Sequence, residues 1–131
     1  MSISFDRMIP ILRIFSIDKA KEFYVDFLGF KVDWEHRFDQ KAPLYMQVSR
    51  GNLVLHLTEH YGDCCPGSTV FVEMTGLDEF HDDIISMDYP YLKPDVQTTP
   101  WNAKLMGVID PFGNRLRFNE YLRPPAEPKP Q

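Results

Sequence analysis

Apolar and polar positions along this chain follow one plan twice. Residues 8–15 are an apolar run, read as a strand that the early Pro10 keeps at an edge or loosely paired. Ser16 or Asp18 then caps a helix reaching Leu28. Ala20, Phe23, Tyr24, Phe27 and Leu28 recur at helical spacing, and Gly29 supplies the stop. Residues 30–38 return as a strand in which Val32, Trp34, His36 and Phe38 alternate onto one face. A hairpin follows, 45–49 and 53–59 around Arg50-Gly51-Asn52. Its second strand presents Leu53, Leu55 and Leu57 on one face and Val54, His56 and Thr58 on the other. After a linker at 60–68, containing glycine and proline, the order repeats. A strand at 69–74 leads through Gly76-Leu77-Asp78 into a helix to about Met87, with Leu77, Phe80, Ile84 and Ile85 inward. A proline-punctuated strand at 89–97 follows. The last hairpin is 104–109 and 115–121 around Asp110-Pro111-Phe112-Gly113-Asn114.

The pattern predicts an α+β fold of two tandem βαβββ modules, at about 7–60 and 68–122, forming one domain over residues 1–123. One helix over three or four strands closes no core alone. Two such units, their sheets curved and set against one another, would leave a ligand groove between them. In the last strand Leu116 and Phe118 alternate with Arg115, Arg117 and Asn119, so one face packs on a helix and the other is polar. Residues 124–131 hold four of the eleven prolines and no apolar pattern, and are expected to be disordered.

Composition narrows the partners. With 131 residues, 44% of them hydrophobic, the chain suits one compact domain with a real core. Aromatic residues make up 14%, enough that some can line a ligand surface. The net charge of -5 argues against a nucleic-acid partner and mildly favours cationic ligands. No apolar run approaches the roughly 20 residues needed to span a bilayer, and no signal-peptide pattern opens the chain. Cys64 and Cys65 are adjacent in a loop beside Pro66 and Gly67; they make no disulfide framework and fit reduced thiols in the cytoplasm.

Leu12-Arg13-Ile14, Ala20-Lys21-Glu22-Phe23-Tyr24 and Phe27-Leu28-Gly29-Phe30 together resemble the opening of the vicinal oxygen chelate superfamily. Val108-Ile109-Asp110-Pro111-Phe112-Gly113-Asn114-Arg115-Leu116 resembles its closing hairpin. That superfamily takes in glyoxalases, bleomycin resistance proteins and extradiol dioxygenases. Gly76-Leu77-Asp78-Glu79-Phe80, Pro100-Trp101-Asn102 and the aromatic-acidic strand Asp33-Trp34-Glu35-His36-Arg37-Phe38 are similar to segments of the bleomycin resistance subgroup. The resemblance implies the paired βαβββ fold, usually a homodimer with shared grooves. It also implies sequestration of a cationic, planar-ring antibiotic without chemistry and without a cofactor. The alternative it leaves is a metal-dependent lyase, isomerase or dioxygenase; a third reading is a groove for an unrelated planar metabolite.

Enzymes of the superfamily place metal ligands on the inner faces of the first, fourth, fifth and eighth strands. Those positions correspond here to Ile9, His56, Thr69 (or Ser68) and Arg117. Ile9 cannot ligate, Thr69 is a weak ligand, and Arg117 is a permanent cation that repels a metal. Slipping each strand by one residue brings in Met8, Pro10, Leu55, Val70, Leu116 or Phe118, none of which ligates. The expected ligand-binding residues are therefore Trp34, His36, Phe38, Tyr45, Gln47, His56, Trp101 and Arg117, with no metal site. Trp34 and Phe38 read either as core rings or as stacking platforms. Trp101 reads as a sheet plug or a ligand wall, and His56 as a braced groove residue or a ligand contact. Arg117 either pairs with Glu73 or meets a ligand anion. Asp33, Glu35, Asp39 and Asp63 are candidates for a negative rim.

Overall fold

The computed structural model describes residues 2–123, so the proline-rich tail lies outside the described residues. The chain divides into two compact units, Met1–Pro66 and Gly67–Gln131. In the first, strand β1 (Ile11–Arg13) precedes helix α1 (Ile17–Lys21), which runs on as a π-helical stretch over Glu22–Phe27. Strands β2 (Lys31–His36), β3 (Tyr45–Arg50) and β4 (Leu53–Thr58) follow. The sheet order is β1-β4-β3-β2, with β1 parallel to β4 and the other pairs antiparallel. In the second unit, β5 (Thr69–Glu73), helix α2 (Leu77–Ser86), β6 (Gln97–Thr98), β7 (Ala103–Ile109) and β8 (Arg115–Tyr121) are ordered β5-β8-β7-β6. Here β5 is parallel to β8. The same β-α-β-β-β order, the same parallel outer pair and the same strand sequence occur in both units, as the duplicated pattern predicts.

Ser16 starts α1 by accepting from the Lys19 backbone N–H at 3.2 Å. The helix widens at its end, where Leu28 N–H reaches back five residues to the Phe23 carbonyl at 3.0 Å. All five apolar residues expected on its inner face are buried, and Phe23, Tyr24, Phe27 and Phe30 meet as edge-to-face or tilted rings. Gly29 ends the helix at φ 79°, against Arg50, whose Nη1 donates to the Leu28 carbonyl at 2.7 Å. The positive φ favours glycine here, and a Cβ would also displace the mobile end of the Arg50 side chain, 2.3 Å away at Nη1. The apolar face of the first sheet is Leu12, Met46, Val48, Leu55 and Leu57, all buried.

In the second unit α2 begins at Gly76, which has no capping side chain. The carboxylate of Glu120 on β8 accepts instead from the N–H groups of Gly76 (3.1 Å) and Leu77 (2.9 Å). Phe80 meets Phe118 edge-on at 5.0 Å, so Phe118 and Glu120 lie on the helix side of the sheet. The β7–β8 turn is clamped by buried Asp110 and Asn114. Asp110 Oδ1 accepts from Phe112 N–H and Asn114 N–H, and Oδ2 accepts from Asn114 Nδ2 at 2.9 Å. This motif is structural.

Three expectations change. The first strand pairs only over Ile11–Arg13, rather than 8–15; Pro10 has no N–H to give and contributes its carbonyl to His56 N–H. The strand expected at 89–97 shrinks to Gln97–Thr98. Pro90 and Pro94 remove ladder donors and Asp88 takes φ 54°, while the Pro94 carbonyl lies 2.9 Å from His81 Nε2. The alternation of Val32 with Trp34 is broken by a β-bulge: Val32 pairs with Val48 but Trp34 pairs with Gln47, leaving Asp33 as the extra residue.

Candidate functional site

That bulge builds the site. Val48 belongs to the buried face and Gln47 to the opposite one, so the extra residue sends Val32 inward and Trp34 outward. On the outward face, register places Trp34 beside Gln47, Gln47 beside His56, and His36 beside Tyr45. The rings follow. Trp34 stacks on Tyr45 at 5.9 Å and 8°, and both stand edge-on to His56, at 5.3 and 5.1 Å. Trp34 remains 42% exposed, so its ring is open to a ligand.

A polar chain links the same side chains. Asp33 Oδ2, which can only accept, takes a hydrogen bond from Gln47 Nε2 at 3.1 Å. The Gln47 amide is thereby oriented with Oε1 toward His56 Nε2, 2.9 Å away. Oε1 can only accept, so His56 carries its proton on Nε2, and its Nδ1 accepts from the Tyr45 hydroxyl at 2.7 Å. Every charge effect agrees with this polarity. Burial, and then the Arg7 charge, push the His56 pKa below its ordinary 6.5. Burial raises the Tyr45 pKa, helped by Asp63 and Cys64. Asp33 is held below the usual carboxylate value by hydrogen bonds from Ser49 and Gln47. The result is an ionised carboxylate, a neutral imidazole with both nitrogens engaged, and a protonated phenol.

The expected residues divide between the units. Trp34, Tyr45, Gln47 and His56 come together on the first sheet. His36 sits at its exposed edge with its ring 5.2 Å from Phe38, which is 91% exposed beyond the end of β2. Trp101 and Arg117 belong to the second unit, on the face of its sheet opposite α2. Trp101 Nε1 donates to Asn119 Oδ1 at 2.9 Å, and Arg117 forms no ion pair with Glu73 among the described residues. Of the four rim acids only Asp33 joins the cluster. Glu35 bonds Lys21 at 2.9 Å on the helix side, Asp39 accepts from Lys41 N–H in a turn, and Asp63 accepts from Thr58. Asp33 was legible only as an acid; the bulge that makes it central has no sequence signal in an alternating strand. Asn119 was missed as a site residue, although a polar amide in a strand is a mild anomaly.

Could the superfamily's metal positions hold an ion here? Among the described residues no three His, Cys, Asp or Glu side chains converge. His56 has no free lone pair, Ile9 precedes β1 outside the sheet, and Thr69 opposes Arg115 in register. These residues do not fit a divalent ion. Burial and Asp63 raise the Cys64 thiol, the reverse of what an activated nucleophile needs.

Two units of identical strand order, each a mixed sheet backed by a helix, define a tandem βαβββ protein of the vicinal oxygen chelate type. A family model described as glyoxalase superfamily protein matches residues 1–124. The chain belongs to the glyoxalase superfamily. Its fold is similar to a bleomycin resistance determinant encoded on the transposon Tn5 (22% identity, TM-score 0.70, 91% of this chain and 100% of that one). It is also similar to the bleomycin-binding protein of bleomycin-producing Streptomyces verticillus, solved with copper(II)-bleomycin (26%, 0.64, 89% and 97%). A third is a glyoxalase-related enzyme from Clostridium phytofermentans (20%, 0.70, 92% and 98%). Among curated proteins, none matches the chain.

Proposed function

We propose that this is a small-molecule-binding protein of the bleomycin resistance type, which sequesters a cationic antibiotic carrying planar rings and performs no chemistry on it. The observation that supports the reading is the exposed Trp34–Tyr45 stack tied through His56 and Gln47 to the ionised Asp33. An exposed indole face offers a planar ring about 0.5–1.5 kcal/mol beyond area burial, and attracts a cation through its π-cloud. The Asp33 carboxylate adds the opposite charge. His56 and Tyr45 are held in one protonation state by their hydrogen bonds, which suits a rigid wall better than a proton shuttle. The likeness to the Streptomyces verticillus protein, at 26% identity, supports the same ligand class. His36 and Phe38 extend the aromatic surface at its edge.

Titration with metal-free bleomycin, followed by tryptophan fluorescence, tests the reading. A saturable change is expected, and Trp34→Ala should weaken binding about two- to tenfold with the fold retained. A flat titration of the wild-type chain refutes it. We further propose a cytoplasmic homodimer. The unbridged Cys64 and Cys65 and the exposed apolar side chains of Ile3, Phe5 and Met8 support it. No helix among the described residues is long and apolar enough to cross a membrane.

A further inference from the structure

Cys64 and Cys65 are neighbours in the chain, and both are free thiols. Cys65 is exposed and Cys64 half-buried. Both lie outside any helix, strand or turn, so the peptide between them can twist without breaking a ladder. The residue before them is tied down. Asp63 Oδ2 accepts from the Thr58 hydroxyl at 2.7 Å, and Thr58 Oγ1 accepts from His60 N–H at 3.0 Å. Asp63 N–H donates to the His60 carbonyl at 3.2 Å, closing the loop at the end of β4. Thr58 is fully buried and stands opposite Tyr45 in the β3–β4 register. A change of shape at Cys64 is thus one residue away from the group that anchors this loop to the sheet.

Adjacency decides what the two thiols can do. Their peptide is trans, which sets the Cα atoms about 3.8 Å apart, below the roughly 4.4 Å minimum of an ordinary disulfide. A bond between them is therefore strained and easily reduced, as labile, regulatory disulfides are. It still outcompetes pairing between molecules, because the second sulfur is always beside the first.

We propose that Cys64 and Cys65 are a reversible redox-modification site, oxidised by hydroperoxides to a vicinal disulfide that releases Asp63 from Thr58. The exposed Cys65 sulfur attacks the terminal oxygen of the hydroperoxide. An S–O bond forms, the O–O bond breaks, and the other oxygen leaves as alcohol (water, from hydrogen peroxide) with the thiol proton. The Cys64 sulfur then attacks the sulfenic sulfur of Cys65. The S–S bond forms, the S–O bond breaks, and hydroxide leaves as water with the Cys64 proton. Two thiols are oxidised and one hydroperoxide is reduced. Burial and Asp63 push the Cys64 thiol up, which suits it to this second step rather than the first. Nothing here depends on the antibiotic reading.

Treatment of the full chain with hydrogen peroxide, at a protein concentration low enough to disfavour cross-linking, tests the proposal. The intact mass should fall by two hydrogens, both iodoacetamide-reactive thiols should disappear together, and dithiothreitol should restore them. In 15N-edited spectra the Thr58, His60 and Asp63 amide signals should move on oxidation and return on reduction. Cys64→Ser should stop at a sulfenic acid on Cys65, trapped by dimedone, with its Thr58 signal unmoved by peroxide. An unchanged mass, disulfide-linked dimers, or sulfinic acid without an internal bond in the wild-type chain overturns the proposal, whether or not the variant folds. So does a vicinal disulfide that leaves the Thr58 amide where it was.

Discussion

His56 stands where enzymes of this superfamily place a metal ligand, yet its neighbours give it a different task. Gln47, oriented by Asp33, demands the proton on Nε2, and Tyr45 fills Nδ1. The pH dependence follows. With its folded pKa held below 6.5, His56 is neutral in the folded chain while the unfolded chain already binds a proton. Its contribution to stability is therefore fully present above about pH 6.5 and is lost as pH falls through 6.5 to the folded value, where the loss levels off. Urea midpoints across that window should show the fall, and His56→Gln should flatten this part of the profile. Tyr45→Phe removes the donor that favours the neutral ring; it should cost about 1 kcal/mol in urea unfolding and raise the His56 pKa in an NMR titration.

At the level of elements, two irregularities matter more than the regular parts. The bulge at Asp33 gives β2 an extra residue, so Asp33 and Trp34 both face Gln47. Deleting Asp33 restores plain alternation without turning Trp34 inward. Bleomycin affinity should fall while the far-UV spectrum is kept; unchanged affinity would remove Asp33 from the site. The second irregularity is the start of α2, where a strand carboxylate does the work of a cap. Glu120→Ala should cost about 1–2 kcal/mol in denaturant unfolding, because two N–H groups lose their acceptor. The helix itself, with Leu77, Phe80 and Ile84 buried, should survive in the folded state.

For the whole molecule, each unit repeats one topology, and each carries a polar-aromatic sheet face with its own electrostatic character: the Asp33 carboxylate bonded to Gln47 in the first, Arg117 and Asn119 in the second. A chain of net charge -5 that joins an ionised Asp33, through Gln47, to a cluster with an exposed indole supports the proposed binding of planar cations. The exposed Ile3, Phe5 and Met8 support the proposed dimer. Sedimentation equilibrium should give twice the chain mass, and removal of residues 2–8 should shift the equilibrium toward monomer; a wild-type monomer at micromolar concentration would refute the dimer.

The tandem βαβββ order, both helices and their inner faces, both hairpins and the family were all legible in the sequence. Burial imposes a period of 3.6 on residues such as Phe23, Tyr24 and Phe27 and a period of two on Leu55 and Leu57, and a duplicated unit writes that pattern twice. Candidate rings and the cationic Arg117 were legible as residue types. What tertiary structure decided was which of them meet. The bulge that puts Trp34 beside Gln47, the amide that settles the His56 tautomer, the Lys21 that takes Glu35 away from the site and the unpaired Nδ2 of Asn119 each depend on a partner outside the local element, or on one that is missing. Local periodicity reports which face a side chain takes; hydrogen-bond direction and strand register are set by groups that only folding brings together.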